Sequence, residues 1–220
     1  MVTSATHRLA KVLLRVVVVY ALLLAGWVMA APWYHGLLAR MAGAVVPLVA
    51  DARVDRIWLE DRRDEGDGVG ACFRITFHGR DASYGLTETQ RVRATMDTVV
   101  DIRQFGYPIL TFLALSLGVT PPRRLADAGP VLIGASIVFT IYSLWVAVDV
   151  FQYLAVQELE FLRNNAVARA IPPDLYRSAR VPMLVYLGQL IPVAVYAGLS
   201  GRRFLQKVAP PRTTRRLTAV

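Results

Sequence analysis

The sequence predicts a mainly α-helical membrane protein. It has four transmembrane helices, both termini in the cytoplasm, and a small extracytoplasmic β-containing segment between the first two helices. Three observations predict this. Four apolar stretches run over Val12–Ala31, Phe105–Val119, Pro130–Val156 and Val181–Ser200. The basic residues of the short flanks all fall on one side of them. Arg8 and Lys11 precede the first stretch, Arg123 and Arg124 separate the second from the third, and Arg202, Arg203, Lys207, Arg212, Arg215 and Arg216 follow the fourth. Short cytoplasmic flanks collect Lys and Arg, so these three segments read as cytoplasmic. Finally, one run between the first two stretches alternates apolar and polar with period two, as a half-buried strand does. Composition agrees: 55% of residues are hydrophobic and the mean hydropathy is +0.42, high for a soluble domain. A chain of 220 residues has room for four spans and one small external region. The predicted organisation is residues 1–31 for the N-terminus and first span, 32–104 for the exported segment, 105–200 for spans two to four with an external connection at 157–180, and 201–220 for a basic tail.

The first span, Val12–Ala31, is about 20 residues, long enough for a 30 Å hydrocarbon core and long for a signal peptide. Val28-Met29-Ala30 has the small-residue look of a cleavage site, but the length of the run favours an uncleaved helix. Pro32 is expected to end it. Trp27, Trp33 and Tyr34 form an aromatic belt at the outer boundary, and Arg15 can snorkel back to the inner head groups. His35–Leu48 remains fairly apolar and reads as a separate interfacial helix on the outer surface.

In the exported region, Arg53–Glu60 reads as a strand with Val54, Ile57, Trp58 and Leu59 as its β-prone residues. A polar turn follows over Asp61–Gly68. Then Val69, Ala71, Phe73, Ile75 and Phe77 point one way, and Gly70, Cys72, Arg74, Thr76 and His78 the other. A lone hairpin is marginal in water, so a third strand is expected from Gln90–Val100. This region holds ten arginines and eleven acids. A loop of such length translocates largely regardless of charge.

Span two, Phe105–Val119, is about 15 residues, or about 22 Å, short of a full core. Pro108 suits a helix start, and Pro121-Pro122 ends it before a tight cytoplasmic turn at Arg123, Arg124 and Asp127. Span three, Pro130–Val156, is long enough to cross with tilt. The outer connection has an amphipathic first half and a break at Pro172-Pro173. Span four, Val181–Ser200, carries Pro182 and Pro192, the second predicting a kink. The tail reads as disordered and faces anionic lipid head groups through its six basic residues.

Asp149, inside span three, is the sharpest candidate for chemistry, because a carboxylate there is costly. Counting down from the outer ends of the spans puts Gln189 and Tyr186 of span four at its depth, so a hydrogen-bonded set of Asp149, Gln189 and Tyr186 is expected. Such a set serves either an ion or proton path or helix–helix adhesion. Adhesion is the simpler reading, since no second ionisable group extends a relay. Cys72, the one cysteine, excludes an internal disulfide. Its strand puts it on the polar face with Arg74 and His78, where positive charge lowers a thiol pKa, but no orienting Asn or Asp accompanies it. His7, His35 and His78 lie in different regions and give no metal-ligand spacing. Glu158, Glu160 and Arg163 read as a solvated or interfacial helix. No motif for a cofactor, phosphate or catalytic nucleophile is found. The net charge of +9 lies largely in the tail, which favours lipid over nucleic acid as its partner.

The layout resembles the small exosortase H-associated membrane proteins of bacteria. The residues that carry the resemblance are Gly106-Tyr107-Pro108-Ile109-Leu110, Trp145 with Asp149, Tyr186-Leu187-Gly188, and Arg202-Arg203-Phe204-Leu205. Here the exported region is longer in its charged turn, and the tail extends past the last motif. The resemblance implies association with a protein-sorting transpeptidase system at the inner membrane and no catalytic residue; no cofactor is expected. The expected function is therefore a non-enzymatic accessory protein. Its helices would place the β element beside another integral membrane protein. Three alternatives carry less of the sequence: a small transporter or ion-conducting subunit using Asp149, an accessory subunit of an energy-converting complex, and a Cys72-dependent enzyme.

Overall fold

A computed structural model describes residues 2–49, 52–62, 68–79, 92–122, 128–156, 172–183, 186 and 188–208. Helix α1 spans Val2–Val49 and leads into strands β1 (Ala52–Arg62), β2 (Gly68–Gly79) and β3 (Val92–Asp101). A 3-10 turn at Arg103–Phe105 precedes α2 (Tyr107–Val119) and α3 (Gly129–Val156). Helices α4 (Pro173–Pro182) and α5 (Gly188–Val208) complete the order. Two helical segments, Thr6–Leu48 and Gly129–Gln152, are long and apolar enough to cross a membrane, and Tyr107–Val119 is a shorter apolar helix.

Helix α1 does not end at Pro32 as expected. It continues for 48 residues with Pro32 and Pro47 inside it, about 72 Å at the usual rise. Proline removes one backbone hydrogen bond and crowds the carbonyl four residues back. Here the second half is held by packing instead. Leu38, Ala39 and Ala42 are fully buried and Val46 nearly so, a spacing of three and four that makes one face. That face lies against the sheet, where Ile57 and Leu59 of β1 pack on the same core as Phe73 and Ile75 of β2. Each such side chain contributes roughly 1.5–3 kcal/mol over its exposed state. The approach is close: a Cβ on Gly43 would lie 2.4 Å from Ile57 Cδ1. The expected interfacial helix is thus the second half of α1 itself.

The sheet is an antiparallel meander in the order β1-β2-β3. The third strand expected from the sequence is present. The alternation in β2 holds on its apolar side, with Ala71, Phe73 and Ile75 buried. A bulge between Val54 and Arg56 sets Asp55 apart from the pairing, and its carboxylate accepts a hydrogen bond from Thr76 Oγ1.

The helices then return and rise again. Tyr34 Oη of α1 donates to the carbonyl of Phe105 at 3.4 Å, whereas a Cβ on Gly118 would lie 2.8 Å from Val16 Cα. So α2 runs antiparallel to α1, its start level with Tyr34 and its end level with Val16. Close backbone approach through a small residue is how helices pack in an apolar medium. Helix α3 runs back alongside, with Gly134 against Phe112 and Phe139 edge-on to Tyr34 at 5.7 Å. Helix α5 opposes α3, because Gly188 meets Tyr142 and Leu199 meets Gly134. The expected fourth helix from Val181 changes form: α4 ends at Pro182, Met183 and Tyr186 are π-helical, and α5 starts at Gly188, with Pro182 and Gly188 both poor residues for a regular helix interior.

Candidate functional site

On α3, Tyr142, Trp145 and Asp149 recur at spacings of three and four, so they share one face. All three engage the α4–α5 segment. Tyr142 Oη donates to the carbonyl of Gly188. The Trp145 indole N–H lies near the Tyr176 hydroxyl, and its ring stacks on Tyr142 at 6.1 Å and 4°. Asp149 accepts from Tyr176 Oη and from Arg180, whose Nε lies 3.1 Å from Oδ1 and whose Nη2 lies 2.9 Å from Oδ2. Tyr176 and Arg180 are one helical turn apart on α4, which lets both reach one carboxylate.

The Asp149 side chain is 2% exposed and that of Arg180 35%. Burial alone would lower the Arg180 pKa, but the hydrogen bonds and charge of Asp149 outweigh it and hold the guanidinium above its ordinary value. Burial pushes the Tyr176 phenol up, and the neighbouring Asp149 charge adds to this. The phenol therefore stays protonated and donates. The charge of Asp101, at the end of β3, acts on both Arg180 and His35. His35 is buried on α1 against the rings of Trp27 and Tyr34. The Asp101 charge, where the sheet joins the helices, is thus felt by a residue of α1 and by one of α4. A bidentate, charge-assisted pair gives geometric specificity. With both carboxylate oxygens occupied by fixed donors, the arrangement suits a latch and offers little to a travelling ion or proton.

The partners of Asp149 differ from those expected. Tyr186 and Gln189 are exposed and are not hydrogen-bonded to it among the described contacts. The reason is one of level. The Tyr142 bond puts Gly188, and with it Gln189, seven residues along α3 from Asp149, about 10 Å deeper. Taking Val181 as level with the end of α3 hides this offset. Tyr176 and Arg180 were overlooked because they fall in the connection before the apolar stretch. Their signal is a tyrosine and an arginine one turn apart beside a helix with a single acid. The Trp145–Asp149 spacing and Gly188, noted only as short motifs, are rungs of this ladder.

Cys72 is buried, not on an open polar face. Its Sγ donates to Glu60 Oε2 at 3.2 Å. Arg74 does share that face, but its Nε and Nη2 hold Asp97 at 2.8 and 2.7 Å, and its guanidinium lies 5.9 Å from the Trp58 ring centre. A shielded thiol beside a carboxylate is the reverse of the exposed, electropositive setting that activates cysteine. Among the described residues no group of His, Cys, Asp and Glu is arranged to hold a metal ion. Arg202, Arg203 and Lys207 lie on the last turns of α5. Their side-chain contacts with lipid, together with Arg212, Arg215, Arg216, the turn at Arg123, Arg124 and Asp127, His78, and Glu158, Glu160 and Arg163, lie outside the described residues and side chains.

Compared with known proteins, the chain matches the family profile of the exosortase H-associated membrane proteins over residues 6–202. No curated protein and no solved structure matches it.

Proposed function

The chain belongs to the exosortase H-associated membrane protein family, and from that membership we propose that it is a non-enzymatic accessory protein that holds its three-stranded sheet outside the bilayer, beside an exosortase. The carrying observation is that the sheet is fixed to the helices twice. Its first two strands pack on the second half of α1, and Val100 of β3 and the adjoining Ile102 share a core with Tyr142, Val146 and Val150 of α3, the helix that the Asp149–Arg180–Tyr176 latch ties to α4. A segment built this way keeps a set height and angle above the membrane. In this reading α1, α2, α3 and α5 cross a bacterial inner membrane four times, and their alternating directions support it. Both termini are then cytoplasmic, and the basic end of α5 and the tail contact anionic head groups.

Isolation of the full chain from its own membranes in a mild detergent tests the proposal. An exosortase is expected to co-isolate in comparable amount. A monomer that carries no exosortase and supports sorting unaided contradicts it.

A further inference from the structure

The two edges of the sheet differ. β1 is guarded. Six of its eleven residues are charged, Arg53 and Asp55 pair at 3.4 Å, and the bulge between Val54 and Arg56 breaks its regularity. Charged side chains and bulges are how natural sheets keep an edge from pairing. β3 has no such bulge. It pairs with β2 residue for residue from Gly70↔Asp101 to Gly79↔Val92, with no shift of register, and it contains no proline, glycine or lysine. Of its charges, the Asp97 carboxylate is drawn back across the sheet by Arg74. No strand lies on the far side of β3 among the described residues. Within β3, Thr98 is 1% exposed and its hydroxyl has no hydrogen-bond partner among the described residues, a rare state for a buried polar group.

The direction of the strands follows from α1. Leu59 lies against Gly36, whereas Ile57 and Val54 lie against Gly43. β1 therefore descends as α1 rises, β2 rises, and β3 descends again to the 3-10 turn that precedes α2. A strand added to β3 thus has one end at the bilayer surface.

We propose that the free edge of β3 takes an extended segment of the exosortase, the stretch next to one of its transmembrane helices, as a fourth strand of the sheet. The inference rests on the reading that the partner is an exosortase. In strand addition the main-chain hydrogen bonds supply the affinity. A partner held beside the helices presents such a segment at high effective concentration. The added strand also brings a cross-strand neighbour to Thr98. Lipid offers no ladder of alternating donors and acceptors. A second copy does not fit either. Copies inserted alike both have β3 descending, and a two-fold axis along the membrane normal sets each residue opposite itself, N–H against N–H and C=O against C=O.

The test is photo-crosslinking in intact membranes of cells that co-express the exosortase, with a photoreactive phenylalanine analogue at position 95 or 99 of the full chain. Thr95 is exposed and Val99 half-buried on the face away from α1, so neither probe enters the core. Position 53 is the control. Arg53, Thr76 and Thr95 form one row across the sheet, and Arg53 marks the guarded edge. The expected result is exosortase adducts from 95 and 99 and none from 53. The two adducts should map to exosortase residues as far apart in sequence as 95 and 99 are, because a ladder pairs residue for residue. Adducts only with lipid, with a second copy or within the chain overturn the inference. So do exosortase adducts from 53 alone, or adducts from 95 and 99 without that spacing. No adduct at all, with the exosortase still co-isolating, also overturns it. In each of these cases co-isolation of the exosortase leaves the functional reading standing. Loss of both the adducts and the co-isolation contradicts both.

Discussion

Replacing Asp149 by alanine leaves the Arg180 guanidinium between helices without its bidentate partner. Breaking a buried pair from one side costs about 3–5 kcal/mol, and the partial exposure of Arg180 puts the cost near the lower end. Asp149→Leu with Arg180→Met is expected to be less destabilising than either change alone. Thermal unfolding in detergent across this double-mutant cycle measures it, and simple additivity contradicts the latch. A smaller effect belongs to Arg74 and Asp97. The Arg74 hydrogen bond holds the Asp97 carboxyl below its ordinary pKa. Its contribution is therefore present above the usual carboxylate range and is lost as pH falls through the depressed value. Amide exchange in β2 and β3 should quicken over that acid range, and Asp97→Asn should remove the pH dependence there. At this scale the sequence showed Asp149 as the costly residue, because a lone acid among apolar neighbours is conspicuous. It did not show its partners, because hydropathy edges do not mark the level of one helix against another, and Tyr176 and Arg180 precede the apolar stretch.

The packing of elements depends on a few close contacts. Gly118 sits against the backbone of Val16, so a side chain there has no flexible neighbour to displace. Gly118→Val is expected to push α2 from α1 and to lower stability by about 1–3 kcal/mol, read as a lower unfolding temperature, whereas Gly26→Ala, with open space around it, should leave that temperature unchanged. Within the sheet, buried Cys72 should react slowly with a water-soluble maleimide in the folded chain and fast once unfolded. Equal rates contradict the burial of Cys72 beside Glu60. The strands were readable because period-two alternation in β2 survives any context that buries one face. The continuity of α1 was not. A proline after an aromatic belt reads as a helix end, and only the contact of residues 34–46 with the sheet makes continuation favourable.

For the whole molecule, the two ends of the account are the alternating helices and the rigidly borne sheet. The mainly helical character, the small sheet between the first two helices and the family were all readable from hydropathy, alternation and short motifs. The direction of the strands was not, since β1 descends beside α1 only because α1 stays helical past Pro32. The proposed function requires the sheet on one side of the membrane and both termini on the other. Single-cysteine labelling in intact cells tests this most directly, with Cys72→Ser as background and a cysteine introduced at position 53, 3 or 214. An impermeant maleimide is expected to label position 53 in intact cells, and positions 3 and 214 only after the membrane is opened. Labelling of position 3 or 214 in intact cells, with position 53 protected until opening, would contradict the account.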